Sequence, residues 1–203
     1  MTVICFEGPP RTGKTLFMTF HAYHNYINER SQIFSNYKLM FEHVMMSPYD
    51  MLAIPFNDID RHHKTLCIQE ADKWFDSHRS MRSENVLLSS LTGQSGKRNL
   101  DILYDTQFYN RIEKSLRDVT EIIFHAHVYT SSKTKEPIAF QYTSETRNGE
   151  FKELPYIPAP VLEPFYSIYD SYEATQPLTS TKSLEDIMSD IKDARKNSRK
   201  KRN

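Results

Sequence analysis

Short runs of apolar residues alternate along the chain with segments whose apolar residues recur at helical spacing. The first run is Val3–Phe6, and apolar residues then recur every three or four positions through Leu16–Tyr26, which predicts a strand followed by a helix. Later apolar runs predict strands at Gln32–Asn36, Thr65–Ile68, Leu100–Tyr104 and Val119–Val128, with helices at Ser83–Leu91 and Tyr109–Arg117. This alternation predicts an α/β fold with a mainly parallel central sheet flanked by helices.

The pattern changes in the C-terminal third of the chain. Residues Ile138–Tyr142 alternate apolar and polar, and Asn148-Gly149 ahead of Phe151 is a turn signal, so we expect an antiparallel hairpin at the sheet edge. Aromatic residues after a proline-rich stretch are expected to pack on the domain, with stacking on bases as the alternative; they are Phe165, Tyr166, Tyr169 and Tyr172. We place one domain at residues 1–172, and a linker, a short helix and a disordered basic tail at residues 173–203.

The segment after the first apolar run has the sequence of a phosphate-binding loop. Residues Gly8–Thr15 match G-x-x-x-x-G-K-[ST] between a predicted strand and a predicted helix. In such a loop the backbone N–H groups surround the phosphates, the lysine reaches the β/γ-phosphates, and the hydroxyl at the helix start holds Mg²⁺. The expected nucleotide-binding residues are Gly8, Pro9, Pro10, Arg11, Thr12, Gly13, Lys14 and Thr15.

Hydrolysis also requires a carboxylate, which is expected where a second buried strand ends. Glu70 follows the predicted strand Thr65–Ile68 and is our candidate for activating the attacking water. A metal-organising aspartate is expected one position earlier, where this chain has the uncharged Gln69. We expect Gln69 to contact Mg²⁺ through water, in a site that is weakened unless Asp72, Asp105 or Thr15 compensates.

Two more polar residues are candidates for the site. Gln107 follows the predicted strand Leu100–Tyr104 and is placed to sense the γ-phosphate or the lytic water. Arg98 ends a loop bracketed by two glycines and is the first candidate for an arginine finger that reaches a neighbouring subunit. The competing arginines are Arg79, Arg82, Arg111 and Arg117.

Charge and composition exclude several classes of protein. The chain of 203 residues has a formal net charge of zero, yet residues 191–203 carry seven Lys or Arg against Asp193 alone, so a uniformly basic nucleic-acid coat is excluded. Cys5 and Cys67 lie in apolar runs and indicate a reducing compartment without a disulfide framework. No apolar stretch approaches the roughly 18 residues of a membrane span. The guanine-specificity and switch motifs of GTPases do not occur.

Several of these segments together resemble one known superfamily. They are the phosphate-binding loop, Ile68–Phe75, the run from Lys97 through Ile102 into Thr106-Gln107, and Ile112–Arg117. The set is similar to the FtsK/HerA superfamily of DNA-pumping ATPases, and within it to the genome-packaging ATPases of tailless icosahedral viruses, including archaeal turreted viruses. A more distant similarity is to the zonula-occludens-toxin-like assembly ATPases of filamentous phages. The resemblance spans roughly residues 1–130.

The resemblance implies a RecA-like P-loop NTPase fold, ATP and Mg²⁺ as cofactors, and a homo-oligomeric ring with double-stranded DNA in its channel. By its motifs, Lys14 and Thr15 contact phosphate and Mg²⁺, Glu70 is the catalytic carboxylate, Gln107 is the sensor and Arg98 is the finger in trans. Gln69 departs from the aspartate of the family.

The function expected from this resemblance is an ATP-hydrolysing motor that packages a viral genome into a preformed capsid. Its partners would be DNA, bound without sequence specificity, other copies of the chain, and capsid proteins in the host cytoplasm. The alternatives are an assembly or export ATPase of the filamentous-phage type, a small-molecule kinase, and a nucleotide-binding structural protein without turnover.

Overall fold

A computed structural model of the chain describes residues 2–47, 50–51, 63–77 and 99–169. The strands are β1 (Val3–Glu7), β2 (Gln32–Ser35), β3 (Val44–Met45), β4 (Lys64–Ile68), β5 (Leu100–Thr106), β6 (Ile122–Thr130), β7 (Pro137–Thr146), β8 (Phe151–Glu153) and β9 (Ile157–Pro158). The α-helices are α1 (Lys14–Asn28), α2 (Ala71–Trp74), α3 (Lys114–Arg117) and α4 (Ala159–Leu162). Two 3₁₀ helices span Tyr109–Arg111 and Glu163–Ile168.

The nine strands of the described residues form one sheet with the order β3-β2-β4-β5-β1-β6-β7-β8, and β9 pairs with β7. The first six strands of this order, from β3 through β1 to β6, are all parallel. Strands β7, β8 and β9 pair in antiparallel fashion. This confirms the predicted α/β fold, the mainly parallel sheet and the antiparallel edge hairpin. Strand β1 lies between β5 and β6, so the loop that follows β1 is flanked by the ends of both.

Alternate residues of β1 pack into different cores. Val3 and Cys5 face a core that includes Ile112 and Leu116, and Ile4 and Phe6 face the core formed with α1. Both faces of the central strands are therefore buried, as a parallel sheet between helical layers requires. Cys5 and Cys67 are buried free thiols, and burial raises the pKa of each.

The segment Tyr109–Arg117, predicted as one short helix, is divided into two. A 3₁₀ turn ends at Arg111 and α3 begins at Lys114, because Ile112 adopts an extended conformation with ψ 142° and pairs with Asp76. Full burial of the Ile112 side chain holds this break in place. A buried contact thus overrides the helical pattern of the local sequence.

The aromatic residues near the end of the described chain lie in or next to a 3₁₀ helix. Phe165 and Tyr169 pack against the cores on the α1 side, as expected, whereas Tyr166 is exposed. Tyr172, the helix predicted at Ser83–Leu91 and the basic tail lie outside the described residues. In the part of the chain that the structure covers, no helix is long and apolar enough to cross a bilayer.

Candidate functional site

The loop between β1 and α1 turns sharply at the carboxyl edge of the sheet. The Gly8 N–H donates to the carbonyl of Thr106 at 3.2 Å, which ties the start of the loop to the end of β5. Arg11 at φ 65° and Gly13 at φ 86° both adopt the left-handed conformation, and α1 begins directly after Gly13. Lys14, the first residue of α1, is buried, with 9% of its surface exposed.

The antiparallel strand β7 supports this loop from outside the parallel sheet. The Tyr142 hydroxyl donates to the Gly13 carbonyl at 3.1 Å, and its ring stacks on Phe17 with the centroids 3.9 Å apart. A Cβ atom added at Gly13 would lie 2.8 Å from Phe140. The residue type at position 13 is therefore fixed both by its backbone conformation and by its packing on β7.

Gly13→Ala is expected to destabilise the protein by roughly 1–3 kcal/mol and to weaken ATP binding, because the added methyl group must displace Phe140. Gly149→Ala is the matched control, since Gly149 has φ +78° but no atom within 4 Å of an added Cβ. The difference between the two variants in urea unfolding isolates the steric overlap from the backbone strain. Equal destabilisation by both variants would contradict the proposed packing at Gly13.

The carboxylate of Asp105 on β5 contacts the start of α1. Its Oδ2 accepts a hydrogen bond from the Thr15 hydroxyl at 2.5 Å, and its Oδ1 accepts the Glu70 N–H at 2.6 Å. The side chain is fully buried, and burial raises its pKa to about 6 although the Lys14 charge opposes the shift. The sequence alone indicates Asp105 only as one of three residues that compensate for the missing charge at Gln69.

Glu70 lies at the end of β4, as predicted, in a left-handed conformation with φ 53° and ψ 50°. Its carboxylate contacts the Lys73 ammonium and remains partly exposed. A non-glycine residue in this conformation costs of order 1–3 kcal/mol, which the surroundings must offset. The hydrogen bond from its N–H to Asp105 is one such compensation.

Gln69 is held through its backbone by Asn36, the residue after β2. The Gln69 N–H donates to Asn36 Oδ1 at 2.7 Å, and Asn36 Nδ2 donates to the Gln69 carbonyl at 3.0 Å. This pair of hydrogen bonds extends the β2–β4 ladder by one step. No local sequence pattern indicates this role for Asn36, because its partner is 33 positions away.

Gln107 follows β5 at the same edge and is partly buried. The segment after it is fixed by Glu7, whose Oε1 accepts the Tyr109 N–H at 2.8 Å. Arg111 stacks over Phe108, 4.6 Å from the ring centroid. Arg98 lies outside the described residues, and its role as a finger stays a prediction.

His125 on β6 lies between two carboxylates next to the loop. Its Nδ1 is 3.0 Å from Glu7 Oε2, and its Nε2 is 3.3 Å from Glu145 Oε2. The hydrogen bond with Glu7 raises the pKa of His125, and the same contact lowers the pKa of Glu7 against the opposing effect of burial. The three residues thus link β1, β6 and β7.

This cluster predicts a pH-dependent contribution to stability. The contribution of His125 to the stability of the folded protein is fully present below pH 6.5 and is lost as the pH rises through its raised pKa. The contribution of Glu7 to stability is present above pH 4.5 and is lost as the pH falls through its lowered pKa. Urea unfolding should therefore show that His125→Gln lowers stability more at about pH 5.5 than at about pH 8.5. The same loss at both values would contradict a charged His125 in the folded protein.

Comparison with known proteins identifies related sequences and folds. The sequence model of the family described as "ATPase family associated with various cellular activities (AAA)" matches residues 4–128. No curated protein matches the chain. Solved structures match at low identity, and at that level they show a shared fold.

Three such structures illustrate the fold. The N-terminal domain of zonular occludens toxin from Neisseria meningitidis is 18% identical with a TM-score of 0.58, covering 84% of this chain and 100% of that one. The genome packaging NTPase of Sulfolobus turreted icosahedral virus 2, in complex with ATP-γS, is 11% identical with a TM-score of 0.55, covering 76% and 96%. The pCW3 conjugation coupling protein TcpA is 9% identical with a TM-score of 0.53, covering 79% and 64%.

Proposed function

Because this chain belongs to the ATPase family associated with various cellular activities, we propose that it is a motor that couples ATP hydrolysis to the translocation of double-stranded DNA. The task that fits best is the packaging of a viral genome into a preformed capsid in the host cytoplasm. Support for ATP hydrolysis comes from the family and from the contact of Asp105 with both Thr15 and Glu70. Support for packaging comes from the fold shared with a viral genome packaging NTPase.

The residues at the sheet edge fit ATP and Mg²⁺. Left-handed conformations at Arg11 and Gly13 turn the loop in the way that exposes backbone N–H groups to phosphate oxygens. The hydroxyl of Thr15 is a hard oxygen donor of the kind that Mg²⁺ prefers together with nucleotide phosphates, and the buried carboxylate of Asp105 accepts its hydrogen bond. Mg²⁺ held there would supply positive charge that offsets the negative charge of the phosphates.

Each residue of the site has a separate role in the proposed hydrolysis. Lys14 binds the β- and γ-phosphates and stabilises the charge that develops as the terminal phosphoryl group departs. Glu70 accepts a hydrogen bond from the attacking water and holds it in line. Gln107 orients the same water from the end of β5. The order β4-β5-β1 brings these residues to one edge of the sheet.

A second candidate function is that of an assembly or export ATPase. The zonular occludens toxin domain favours it, because among the three structures described it matches the largest share of both chains. The chain covers 100% of the zonular occludens toxin domain, so an assembly or export ATPase shares the same fold evidence. The two candidates differ in the polymer that the motor would move. We favour DNA, which is the partner implied by packaging, and we propose that a homo-oligomeric ring surrounds it.

The experiment that tests the proposal is an ATPase assay with and without double-stranded DNA, alongside a measurement of the oligomer mass. We expect DNA of unrelated sequences to raise turnover equally, with an effect that declines as salt increases. Lys14→Ala protein purified in the same way controls for a contaminating ATPase. Turnover that is independent of DNA, in a protein that remains monomeric with nucleotide, would contradict the motor and leave the ATPase assignment standing.

A further inference from the structure

The site contains a buried carboxylate on β5, the strand next to the one that leads to Glu70. Asp105 lies near the end of β5 and accepts two hydrogen bonds, one from the Thr15 hydroxyl at 2.5 Å and one from the Glu70 N–H at 2.6 Å. Its side chain is fully buried. A buried carboxylate is costly unless hydrogen bonds and a cation compensate for lost solvation, and Lys14 is the cation beside it.

The strand that precedes Glu70 supplies no charge at the corresponding position. Gln69 is neutral, and its backbone is held on both sides by Asn36. Strand β5 lies between β4 and β1, so a side chain near its end reaches both the start of α1 and the Glu70 backbone. The carboxylate missing from position 69 is therefore replaced in space by one from the neighbouring strand.

We propose that Asp105, on β5, is the positioning residue for the Mg²⁺–ATP site. It takes the role that an aspartate at position 69, directly after β4, would have. This inference deepens the proposed function and rests on it. By accepting a hydrogen bond from the Thr15 hydroxyl, Asp105 directs the oxygen lone pairs of Thr15 away from itself and toward the phosphate side. By accepting the Glu70 N–H, it fixes the left-handed backbone from which the Glu70 carboxylate extends.

The physical expectation is a loss that depends on the metal. Partners that orient a metal ligand typically contribute 10- to 100-fold in metal affinity or activity. A carboxylate close to the triphosphate also repels it when Mg²⁺ is absent. Removing the charge of Asp105 should therefore weaken Mg²⁺-dependent binding and leave metal-free binding unchanged or tighter. A role in folding alone would weaken both.

Strand β5 offers a matched control on the same face. Asp101 lies four positions before Asp105 and also contacts α1, through Asn25 Nδ2 at 3.2 Å, but at the other end of the helix. It accepts the Thr2 N–H at 2.6 Å as well. Asp101→Asn thus removes a partly buried, hydrogen-bonded carboxylate from the same strand without touching Thr15 or Glu70.

The test measures binding of the β,γ-methylene analogue of ATP by calorimetry, in EDTA and across a Mg²⁺ titration, so that turnover plays no part. For Asp105→Asn we expect the apparent Mg²⁺ affinity of the nucleotide complex to fall about 10- to 100-fold, with no weakening in EDTA. Asp101→Asn should behave like the unmodified protein. Asp105→Ser, which also lacks the charge, serves as the second variant if Asp105→Asn does not fold.

A double-mutant cycle with Thr15→Val tests whether Asp105 acts through Thr15. If it does, the loss of Mg²⁺ affinity in the double variant is smaller than the product of the two single losses. The inference is overturned if a folded Asp105 variant binds the nucleotide as much more tightly with Mg²⁺ as the unmodified protein does. It is also overturned if the losses of Mg²⁺ affinity in the two single variants multiply in the double variant. Failure of the unmodified protein to bind the analogue at all would instead overturn the proposed function.

Discussion

Lys14→Ala is expected to lower ATP turnover by at least about 100-fold and to weaken ATP binding by about 10- to 100-fold. The first figure is the effect of removing one group that stabilises transition-state charge, and the second follows from the roughly 1.5–3 kcal/mol of a charged hydrogen bond. Lys14 is 9% exposed and lies beside the buried Asp105. Its loss therefore removes the cation from both the phosphate and the carboxylate.

Steady-state ATPase assays and calorimetric titration with the methylene analogue measure the two effects separately. Lys133→Ala is the control, because Lys133 is exposed in the turn between β6 and β7. The control should match the unmodified protein in both assays. Undiminished binding in Lys14→Ala would contradict the placement of nucleotide in the loop Gly8–Thr15.

Glu70→Gln is expected to lower turnover by about 10²- to 10⁴-fold, the usual contribution of a positioned acid or base. Nucleotide binding should be retained, because Glu70 is assigned to the water and not to the phosphates. Glutamine keeps the size of the side chain and leaves the N–H that donates to Asp105 in place. The variant therefore tests the charge of Glu70 alone.

Lys73→Ala separates catalysis from the ion pair that Glu70 makes. The Lys73 ammonium contacts the Glu70 carboxylate, and its side chain is 58% exposed, so the pair contributes little to stability. If Glu70→Gln acted only by breaking this pair, Lys73→Ala would cause the same loss of turnover. We expect Lys73→Ala to keep turnover, and full activity in Glu70→Gln would remove Glu70 from the mechanism.

Much of the architecture could be predicted because it is encoded in neighbouring residues. The loop Gly8–Thr15 and the helix after it are a contiguous motif, and the turn Asn148-Gly149 likewise specifies its hairpin locally. The position of Glu70 at the sheet edge was predictable because the carboxyl ends of parallel strands meet there. Each of these predictions required only a short stretch of sequence and a general rule about its surroundings.

The contact that organises the site could not be predicted in this way. Thr15 and Asp105 are 90 positions apart, and they meet because β5 pairs directly with β1. Strand order is decided by the packing of both sheet faces, and a local pattern of apolar residues does not specify it. The same holds for Asn36, which reaches Gln69 only because β2 pairs with β4.

The contact of Tyr142 with Gly13 makes the nucleotide loop depend on residues beyond the family match. The family match ends at residue 128, yet Leu16 packs in a cluster with Phe140, Tyr142 and Leu162. A truncation at the family boundary would remove β7, leave the Gly13 carbonyl without its hydroxyl partner and expose Leu16 to water. A fragment that keeps these contacts with the loop and α1 therefore includes the chain as far as Leu162.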